Sequence, residues 1–415
     1  MKIIADFHIH SRFARATSKD MTLENLDLWA GKKGIKVMGT GDFTHPLWFK
    51  ELQEQLEPAE PGLYKLKGKE TNIRFLFTSE ISCIYSKGGQ VRRIHLILIA
   101  PSIAAVEKIN TRLGWIGNLK SDGRPILGID AKEVLKIALD ADPNCMVVPS
   151  HIWTPWFAVF GSKSGFNSLE ECFDEYAKYI YAIETGLSSD PAMNWRLSAL
   201  DKITLLSNSD SHSLEKIGRE ANVFDTGVSY SALMEAIKSK DPAKFLYTVE
   251  FFPEEGKYHY DGHRLCGVSM APAESKKNNN ICPKCKRPLV IGVLNRVEEL
   301  ADRPEGFTPP RVIPFKSLIP LQEIIADALG VNVGTKHGKA EYEKLVQEFG
   351  NEFAVLLDVS IEALQRVTLP GIAECIKRVR EGRVSIEPGY DGEYGKIEIF
   401  KANEQRSSAS QKTLF

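Results

Sequence analysis

Apolar runs alternate with polar segments along the first 250 residues, and most of these runs end in a histidine or an acidic residue. The first run, residues 2–5, is β-branched and apolar, which predicts a buried strand leading into Asp6-Phe7-His8-Ile9-His10. Because alternate side chains of a strand share a face, Asp6, His8 and His10 point the same way. Buried polar groups need partners, and a metal ion is a partner that two imidazoles and a carboxylate can share. A surface strand with solvated histidines is the alternative interpretation.

A helix and a second strand follow, and they indicate how the sheet is built. Thr22 is suited to cap a helix whose apolar face includes Leu26 and which stops near Gly31 or Gly34. The apolar run at residues 35–38 is the next strand. A strand, a helix and a strand in this order favour a parallel sheet.

The pattern recurs, and later apolar runs end at or beside possible metal ligands: Asp42 and His45, Glu80, His95, His151, Glu184, Asp210 and His212. In a closed parallel barrel, the carboxyl ends of the strands converge on one mouth, where active sites lie. Core histidines scattered through the sequence would have no such placement. Imidazole and carboxylate suit zinc, manganese or iron, and the set is too large for one zinc, so we predict two or three metal ions. Clustered metals activate water and clamp phosphate oxygens in phosphoester hydrolysis.

These residues, in this order, resemble the motifs of the PHP superfamily of phosphoesterases over roughly residues 1–250. The resemblance is carried by these positions: His8-Ile9-His10-Ser11, Asp20, Gly41-Asp42, Glu80, His95, His151 and Asp210-Ser211-His212. It implies a seven-stranded distorted barrel with a trinuclear metal centre, whose ligands would be His8, His10, Asp20, Asp42, Glu80, His95, His151, Asp210 and His212. The expected catalytic residues within that set are His8, His10, Asp210 and His212. The family's second motif usually ends in histidine and here ends in Phe43, so we favour Asp42 over His45 as the ligand.

The segment after His151 is unusually aromatic for a loop beside a metal site, since it contains Trp153, Trp156 and Phe160. Aromatic faces hold unstacked bases, so these three side chains are candidates for a pocket that binds a base extruded from DNA. The alternative is a lid that packs on the barrel.

A cysteine-rich segment follows a loop-like boundary near residues 253–256. His263-x2-Cys266 and Cys282-x2-Cys285 form two knuckles with the spacing of a four-ligand structural zinc site. His259 is the alternative to His263, and the two-residue gap favours His263. Reduced core thiols are the competing interpretation, but the segment is too polar and short to fold without a staple.

The last third is predicted to be helical, and a hairpin-like motif lies near its end. Leu369-Pro370-Gly371-Ile372 followed by a helix resembles a helix-hairpin-helix, in which backbone N–H groups at the start of the second helix bind a phosphate. Gly371, Lys377 and Arg378 are therefore candidate DNA contacts. The usual second glycine is Ala373 here, and a plain helical turn is the alternative.

The chain ends in a polar segment, from residue 402, whose composition is typical of a disordered linker. Its last residues include Gln411, Leu414 and Phe415, whose spacing resembles the short peptide that replication proteins insert into a sliding clamp. We expect these three residues to bind such a clamp.

Composition limits the classes of protein that fit. The 415 residues carry a formal net charge of −1, so any nucleic-acid surface must be local. No run approaches the roughly 18 apolar residues of a membrane span, and no signal segment precedes the first strand, which favours a cytoplasmic protein. The odd count of seven cysteines argues against a disulfide framework.

The order of the parts decides the interpretation. We predict an α/β fold: a PHP-type distorted (βα)7 barrel over residues 1–252, a zinc ribbon over 253–300, a helical domain with the hairpin-like motif over 301–400 and the clamp-binding tail over 401–415. This arrangement resembles the endonuclease Q family of archaeal-type repair nucleases. The resemblance implies that metal-activated hydroxide cleaves DNA 5′ to hypoxanthine, uracil or xanthine and at abasic sites, with zinc favoured and manganese or magnesium as alternatives.

Two other classes of function are left open. A PHP-type small-molecule phosphatase has no use for the ribbon and the tail. A non-catalytic DNA-lesion-binding protein has no need of a full ligand set. Metal-dependent turnover separates the two enzymes from the binding protein.

Overall fold

The computed structural model describes residues 1–400. The predicted clamp-binding residues Gln411, Leu414 and Phe415 lie outside the described residues. The strands of the first 250 residues are β1 (Lys2–Asp6), β2 (Val37–Gly39), β3 (Leu56–Pro58), β4 (Tyr64–Leu66), β5 (Arg74–Lys87), β6 (Gln90–Ala100), β7 (Ile126–Leu127), β8 (Met146–Pro149), β9 (Ala182–Glu184), β10 (Thr204–Leu206), β11 (Ala221–Asp225) and β12 (Phe245–Glu250). The α-helices among them are α1 (Leu23–Lys33), α2 (Pro46–Gln55), α3 (Ile103–Gly114), α4 (Ala131–Ala141), α5 (Leu169–Phe173), α6 (Pro191–Asn194) and α7 (Tyr230–Ser239).

Seven strands form a distorted barrel in the order β1, β2, β5, β6, β8, β9 and β10. The first three are parallel neighbours, β6 runs antiparallel between β5 and β8, and β9 and β10 are parallel. The Ile152 N–H donates to the Glu184 carbonyl, which joins the chain after β8 to β9. The His10 N–H donates to the Ser211 carbonyl, which joins the chain beyond β1 to the chain beyond β10. The predicted PHP-type α/β barrel is confirmed, with one strand reversed.

The reversed strand explains how two predicted ligands reach the mouth without ending a strand. The sequence pattern predicts a strand that stops before Glu80, but β5 continues to Lys87 and pairs along its length with β6. Ser82 lies opposite His95 in this hairpin. Because β6 runs antiparallel to β5, Glu80 in β5 and His95 in β6 lie at nearly the same height in the barrel, close to its mouth.

The first strand and helix form as the sequence predicts. β1 is buried from Ile3 to Asp6. The Thr22 side chain accepts a hydrogen bond from the Asn25 N–H at the start of α1, and Gly34 ends that helix in the left-handed region with φ 91°. The helix therefore lies between two parallel strands and packs its buried face on the barrel.

The cysteine-rich segment is a small module with its own core. Its elements are β13 (Asp261–His263), β14 (Val268–Met270), α8 (Pro272–Lys277) and, after the second knuckle, α9 (Val293–Leu300). β13 and β14 form an antiparallel hairpin. A separate cluster of four buried side chains lies beside it: Val268, Met270, Cys282 and Leu289. So few apolar groups give little burial energy, and small modules of this kind commonly need a metal or another staple to fold.

The last third is helical, as predicted, but it is joined closely to the barrel. Its elements are β15 (Phe315–Ser317), α10 (Leu321–Leu329), α11 (Lys336–Phe349), α12 (Ile361–Val367), α13 (Pro370–Arg380), β16 (Ser385–Glu387) and β17 (Lys396–Glu398). β15 pairs in parallel with β12, so the main sheet continues into this part of the chain. Among residues 1–400, the helices are all too short or too polar to cross a lipid bilayer.

Candidate metal centre

The barrel mouth brings together six of the nine predicted metal ligands in two adjacent groups. His8, His10, Glu80 and Asp210 have ligand atoms that lie within 4.8 Å of one another. Glu80, His95 and His151 form a second group with the same spacing. Glu80 belongs to both groups, so the site has two adjacent positions for metal ions that share one carboxylate.

The two oxygens of Glu80 face different histidines. Oε2 lies 3.5 Å from His8 Nε2 and 3.4 Å from His10 Nε2, while Oε1 lies 3.0 Å from His95 Nδ1 and 3.3 Å from His151 Nε2. Two ligand atoms on a tetrahedral zinc, each about 2.0–2.1 Å from it, are themselves separated by roughly 3.3 Å. The spacing around Glu80 therefore fits ligands arranged around two ions.

Unsatisfied buried atoms support the same assignment. His8 Nε2 and Glu80 Oε1 are buried and have no hydrogen-bond partner. Such atoms are destabilising unless another group compensates them. Imidazole nitrogens and carboxylate oxygens together suit zinc, manganese or iron. The residues present therefore fit a pair of divalent metals.

Each histidine of the two groups is also held through its second ring nitrogen. The partner atoms are Glu184 Oε1 at 3.0 Å from His8 Nδ1, Asp42 Oδ1 at 3.0 Å from His10 Nδ1, Ser82 Oγ at 3.2 Å from His95 Nε2 and Thr154 Oγ1 at 2.9 Å from His151 Nδ1. Such partners fix the tautomer and orientation of a metal-binding imidazole. The rings are therefore set in place before any metal binds.

Asp42 and Glu184 lie behind the ligands rather than among them. Asp42 was the predicted ligand of the second motif, but its carboxylate is used by His10 and by the N–H and hydroxyl of Ser11. Glu184 accepts from the Asn208 amide and the His151 N–H in addition to its contact with His8. Glu184 ends a predicted strand in the sequence, but a strand-end position cannot distinguish a metal ligand from a residue that orients a ligand.

Three other candidates lie outside the two groups. Asp20 is exposed, in the turn before α1. His212 lies at the edge of the centre, with its ring 4.4 Å from the His10 ring and its Nδ1 3.7 Å from Asp210 Oδ1. His45 stacks on Phe13 with ring centroids 4.5 Å apart, and it takes no part in either group.

Three non-glycine residues at this centre have positive φ angles. Asp42, His151 and Asp210 have φ angles of 50°, 28° and 45°. Non-glycine residues seldom adopt positive φ, and such strain persists where the surrounding structure enforces it, typically at functional sites. Gly41, with φ 63°, precedes Asp42, and a Cβ there would overlap the Ile9 carbonyl. The turn from β2 can therefore pass directly against the end of β1.

The charges at the centre are strongly coupled. Burial lowers the pKa of His8 and His10, but the neighbouring carboxylates outweigh burial and raise both well above the usual range. Burial raises the pKa of Glu80 and Asp210, and the surrounding histidines reverse this and lower both. Burial dominates at His95 and lowers its pKa to about 4. Without metal, protons therefore compensate the carboxylates, and metal binding must displace them.

The structure places two of the three aromatic candidates in the core and leaves one exposed. Trp153 is fully buried and donates its indole N–H to Asn194 Oδ1 at 2.8 Å, and Phe160 packs against it with ring centroids 4.9 Å apart. Both side chains belong to the core because the loop folds inward over the barrel. Trp156 is 40% exposed and meets Tyr258 edge-on, so it alone of the three presents a ring to solvent.

The four residues predicted to bind a structural zinc lie together in the cysteine-rich module. His263, Cys266, Cys282 and Cys285 present ligand atoms within 4.8 Å of one another, and Cys285 Sγ lies 3.3 Å from His263 Nδ1. Burial raises the pKa of Cys282, but the backbone N–H groups of Cys285 and Lys284 outweigh it, and the pKa falls to about 6. His259 lies outside the group.

The hairpin-like motif forms a helix start, but one of its two basic candidates, Arg378, is engaged within the protein. Gly371 is the second residue of α13, after Pro370. The Arg378 guanidinium pairs with Glu374, donates to the Ile399 carbonyl and lies over the Phe400 ring. Lys377 is half-buried. The structure thus uses Arg378 for packing, a use that the sequence pattern could not distinguish from phosphate binding.

A barrel of this topology with metal-ligand groups at its mouth defines a PHP-type metal-dependent phosphoesterase. The chain matches the crystal structure of the lesion-specific endonuclease PfuEndoQ from Pyrococcus furiosus with a TM-score of 0.85 and 32% identity, over 96% of this chain and 95% of that one. It also matches endonuclease Q in complex with a 27-mer duplex that has an abasic lesion at the active site, with a TM-score of 0.83, 32% identity and 97% of each chain covered. The chain belongs to the endonuclease Q family.

Sequence relatives extend the comparison. The YqxK protein of Bacillus subtilis is 31% identical over 417 residues, which cover 95% of this chain and 99% of YqxK. The MJ0043 protein of Methanocaldococcus jannaschii is 33% identical over 309 residues and 70% of this chain. The match spans only 37% of MJ0043, which is a much longer protein. Residues 320–383 match the family described as the MJ0043 C-terminal domain.

Proposed function

We propose that this protein is a DNA repair endonuclease that hydrolyses the phosphodiester bond 5′ to deaminated bases (hypoxanthine, uracil and xanthine) and at abasic sites. The observation that carries the proposal is the intact pair of ligand groups around Glu80 in a chain that matches endonuclease Q along nearly its whole length. The related complex with duplex DNA supports DNA as the substrate.

The residues would divide the work as follows. His8, His10, Glu80 and Asp210 would hold one divalent metal, and Glu80, His95 and His151 would hold the other. Two such ions lower the pKa of water and neutralise the attacking and leaving oxygens of a phosphate. His212 Nδ1 donates to the Asp210 carbonyl at 2.9 Å, which leaves Nε2 as the acceptor of the neutral ring. This nitrogen can take the proton of the attacking water at the open edge of the centre.

The metals proposed are two or three ions in the active site and one structural zinc. The two ligand groups support two ions, and zinc is favoured by the imidazole-rich set, with manganese and magnesium as the alternatives. Metal analysis by mass spectrometry of protein purified without added metal tests this. We expect one zinc that survives mild chelation, together with at least two ions that chelation removes.

A substrate comparison tests the proposed activity. Purified protein is incubated with a labelled duplex that carries one deoxyinosine, and in parallel with a small phosphate monoester. We expect metal-dependent nicking on the 5′ side of the lesion, and loss of cleavage with retained lesion binding in Asp210→Ala and His10→Ala. Phosphate release from the monoester without nicking would favour the small-molecule phosphatase, and lesion binding without turnover would favour the non-catalytic protein.

We also propose that the tail residues Gln411, Leu414 and Phe415 bind a sliding clamp. The support is their sequence pattern alone. Size-exclusion chromatography with the host's clamp tests the proposal: the full chain should co-elute with the clamp, and Leu414→Ala with Phe415→Ala should not. Co-elution of both proteins would contradict it.

A further inference from the structure

The side chains around the metal centre differ in their exposure to solvent. The side chains of His8, His10 and Glu80 are at most 2% exposed, whereas Asp210 and His212 are 24% and 30% exposed. One more polar side chain beside the centre is comparably exposed, Arg124 at 29%. These three groups are therefore accessible to a phosphate at the centre, and Arg124 is the permanently charged cation among them.

The loop that carries Arg124 is fixed to the wall of the centre. Asp122 Oδ1 accepts from the backbone N–H groups of Arg124 and Arg15, each at 3.1 Å, and both bonds are independent of the Arg15 side chain. The Gly123 N–H donates to the Phe13 carbonyl, and the Pro125 carbonyl accepts from the Ser82 N–H, each at 3.0 Å. These hydrogen bonds fix the backbone of the loop and therefore the direction in which the Arg124 side chain points.

A glycine allows this loop to approach so closely. A Cβ at position 123 would lie 2.5 Å from Asp42 Oδ2, the carboxylate that supports His10. The loop therefore passes directly against the residues behind the ligands, and Arg124 reaches the centre from it.

The guanidinium of Arg124 has unused donors. Its Nη1 donates to Glu80 Oε2 at 3.0 Å, and within residues 1–400 no second acceptor bonds to the guanidinium. Four of the five N–H donors that any arginine carries therefore remain available. Burial lowers the pKa of Arg124, but the neighbouring carboxylates of Glu80 and Asp210 raise it by more, so the guanidinium stays charged.

We propose that Arg124 is a catalytic residue whose guanidinium binds a non-bridging oxygen of the scissile phosphate and stabilises the negative charge that grows there. The planar fork of donors matches phosphate oxygens, and a fixed donor at the site of developing charge accelerates the reaction. In the step, the oxygen of water bonds to phosphorus, the bond from phosphorus to the leaving sugar oxygen breaks, and the proton from water ends on that oxygen. Arg124 keeps its protons.

This inference rests on the proposed function, and it competes with a simpler role for the same side chain. Arg124 could serve only to neutralise Glu80 when metals are absent. Loss of a guanidinium with that role would leave the rate at saturating metal unchanged, because the metals then neutralise Glu80. A phosphate-binding role instead predicts a slower chemical step at full metal occupancy.

The test measures single-turnover nicking of a duplex with one abasic site, at saturating protein and metal, with metal content determined by mass spectrometry. We expect Arg124→Ala to lower the rate constant about 100-fold with unchanged metal content, and Arg124→Lys to lower it by about 10-fold. Added guanidinium ion should restore part of the activity of Arg124→Ala. Arg15→Ala is the matched control, because Arg15 is 78% exposed and contacts the same loop through Asp122 at 3.2 Å. It should stay within about twofold of the parent.

The outcomes are distinct. A rate constant for Arg124→Ala equal to that of the parent contradicts the inference alone. Loss of activity together with loss of metal, and without rescue by guanidinium ion, also contradicts it. If Arg124→Ala does not fold, Arg124→Lys decides: a parent-like rate constant overturns the inference, and a lower one at unchanged metal content supports it. A parent protein that nicks no lesion contradicts the proposed function and this inference together.

Discussion

Single residues at the barrel mouth differ in role even when their types are the same. Glu80, Asp42 and Glu184 are all buried carboxylates near the same histidines, but only Glu80 presents oxygens to both ligand groups. Asp42 and Glu184 hold the second nitrogens of His10 and His8. Residue type and sequence position make all three candidate ligands. Only the folded structure shows that Glu80 is placed as a ligand and that Asp42 and Glu184 orient the histidines.

Replacing a support and replacing a ligand should have different consequences. We expect Asp42→Asn to weaken metal binding by about 10- to 100-fold, because His10 loses its orienting charge, and excess metal should restore nicking. Asp210→Asn should remain inactive at any metal concentration, since it removes the negative charge of a ligand and replaces one of its two oxygens with an amide nitrogen that cannot bind a cation. Calorimetric metal titration with a nicking assay checks both. Equal rescue of the two variants would mean that Asp42 and Asp210 share one role.

Two buried carboxyl groups, those of Glu220 and Glu250, should make the free energy of unfolding depend on pH. Burial and the nearby Glu250 raise the pKa of Glu220, and burial raises the pKa of Glu250 from 4.5 to about 8. A carboxyl with a raised folded-state pKa stabilises the protein fully below its unfolded pKa, and this contribution is lost as pH rises through the folded value.

The free energy of unfolding should therefore fall between pH 5 and pH 9, as measured by urea denaturation. Glu220→Gln removes one charge from the pair, and Glu220 Oε2 has no hydrogen-bond partner to lose. We expect the decline in this variant to be smaller by at least about 1 kcal/mol. An identical decline in both proteins would show that the pair does not titrate in this range.

At the scale of elements, the sequence predicted what periodicity can express. The alternation at the end of the first strand predicted that His8 and His10 point the same way, and both belong to one ligand group, although β1 itself ends at Asp6. The knuckle spacing identified the group of His263, Cys266, Cys282 and Cys285. Periodicity could not reveal that β6 is antiparallel or that the aromatic loop places Trp153 in the core. It also could not reveal that a loop with no recognisable sequence motif places Arg124 beside Glu80. These features depend on tertiary contacts, which leave no local signal in one sequence.

The proposed zinc ribbon offers an element-scale test with a matched pair of histidines. His263→Ala should lose one tightly bound zinc and the cooperative unfolding of residues 258–292, because the module's own core is small. His259→Ala should keep that zinc, because His259 lies outside the ligand group. Metal analysis by mass spectrometry distinguishes them. Loss of zinc from both variants would contradict the assigned ligand set.

At the scale of the whole molecule, a buried ion pair joins the helical last third of the chain to the barrel. Lys33 Nζ lies 2.7 Å from Glu352 Oε2, with side chains 2% and 5% exposed. Glu352 also accepts from the Leu321 N–H and the Tyr342 hydroxyl. The parallel pairing of β12 with β15 adds a second connection. Barrel and helices should therefore unfold together.

Removing the cation should be strongly destabilising, since it leaves a buried carboxylate unpaired. We expect Lys33→Ala to lower the free energy of unfolding by about 3–5 kcal/mol. Lys2→Ala is the control, because the Lys2–Asp358 pair links the same two regions at 3.0 Å but is 39% and 59% exposed, and its loss should change stability by less than about 1 kcal/mol. Similar values for the two variants in chemical denaturation would contradict this account of the interface.

The central claim is that paired metals at Glu80 cleave DNA beside a lesion. The most direct measurement uses a 5′-labelled duplex with one abasic site, chelated protein, and protein to which zinc, manganese or magnesium is restored, with the product mapped to the nucleotide. The account predicts no product after chelation, and a single nick on the 5′ side of the lesion after restoration that Asp210→Asn cannot make. A nick that persists after chelation, or no nick with any metal, would contradict it.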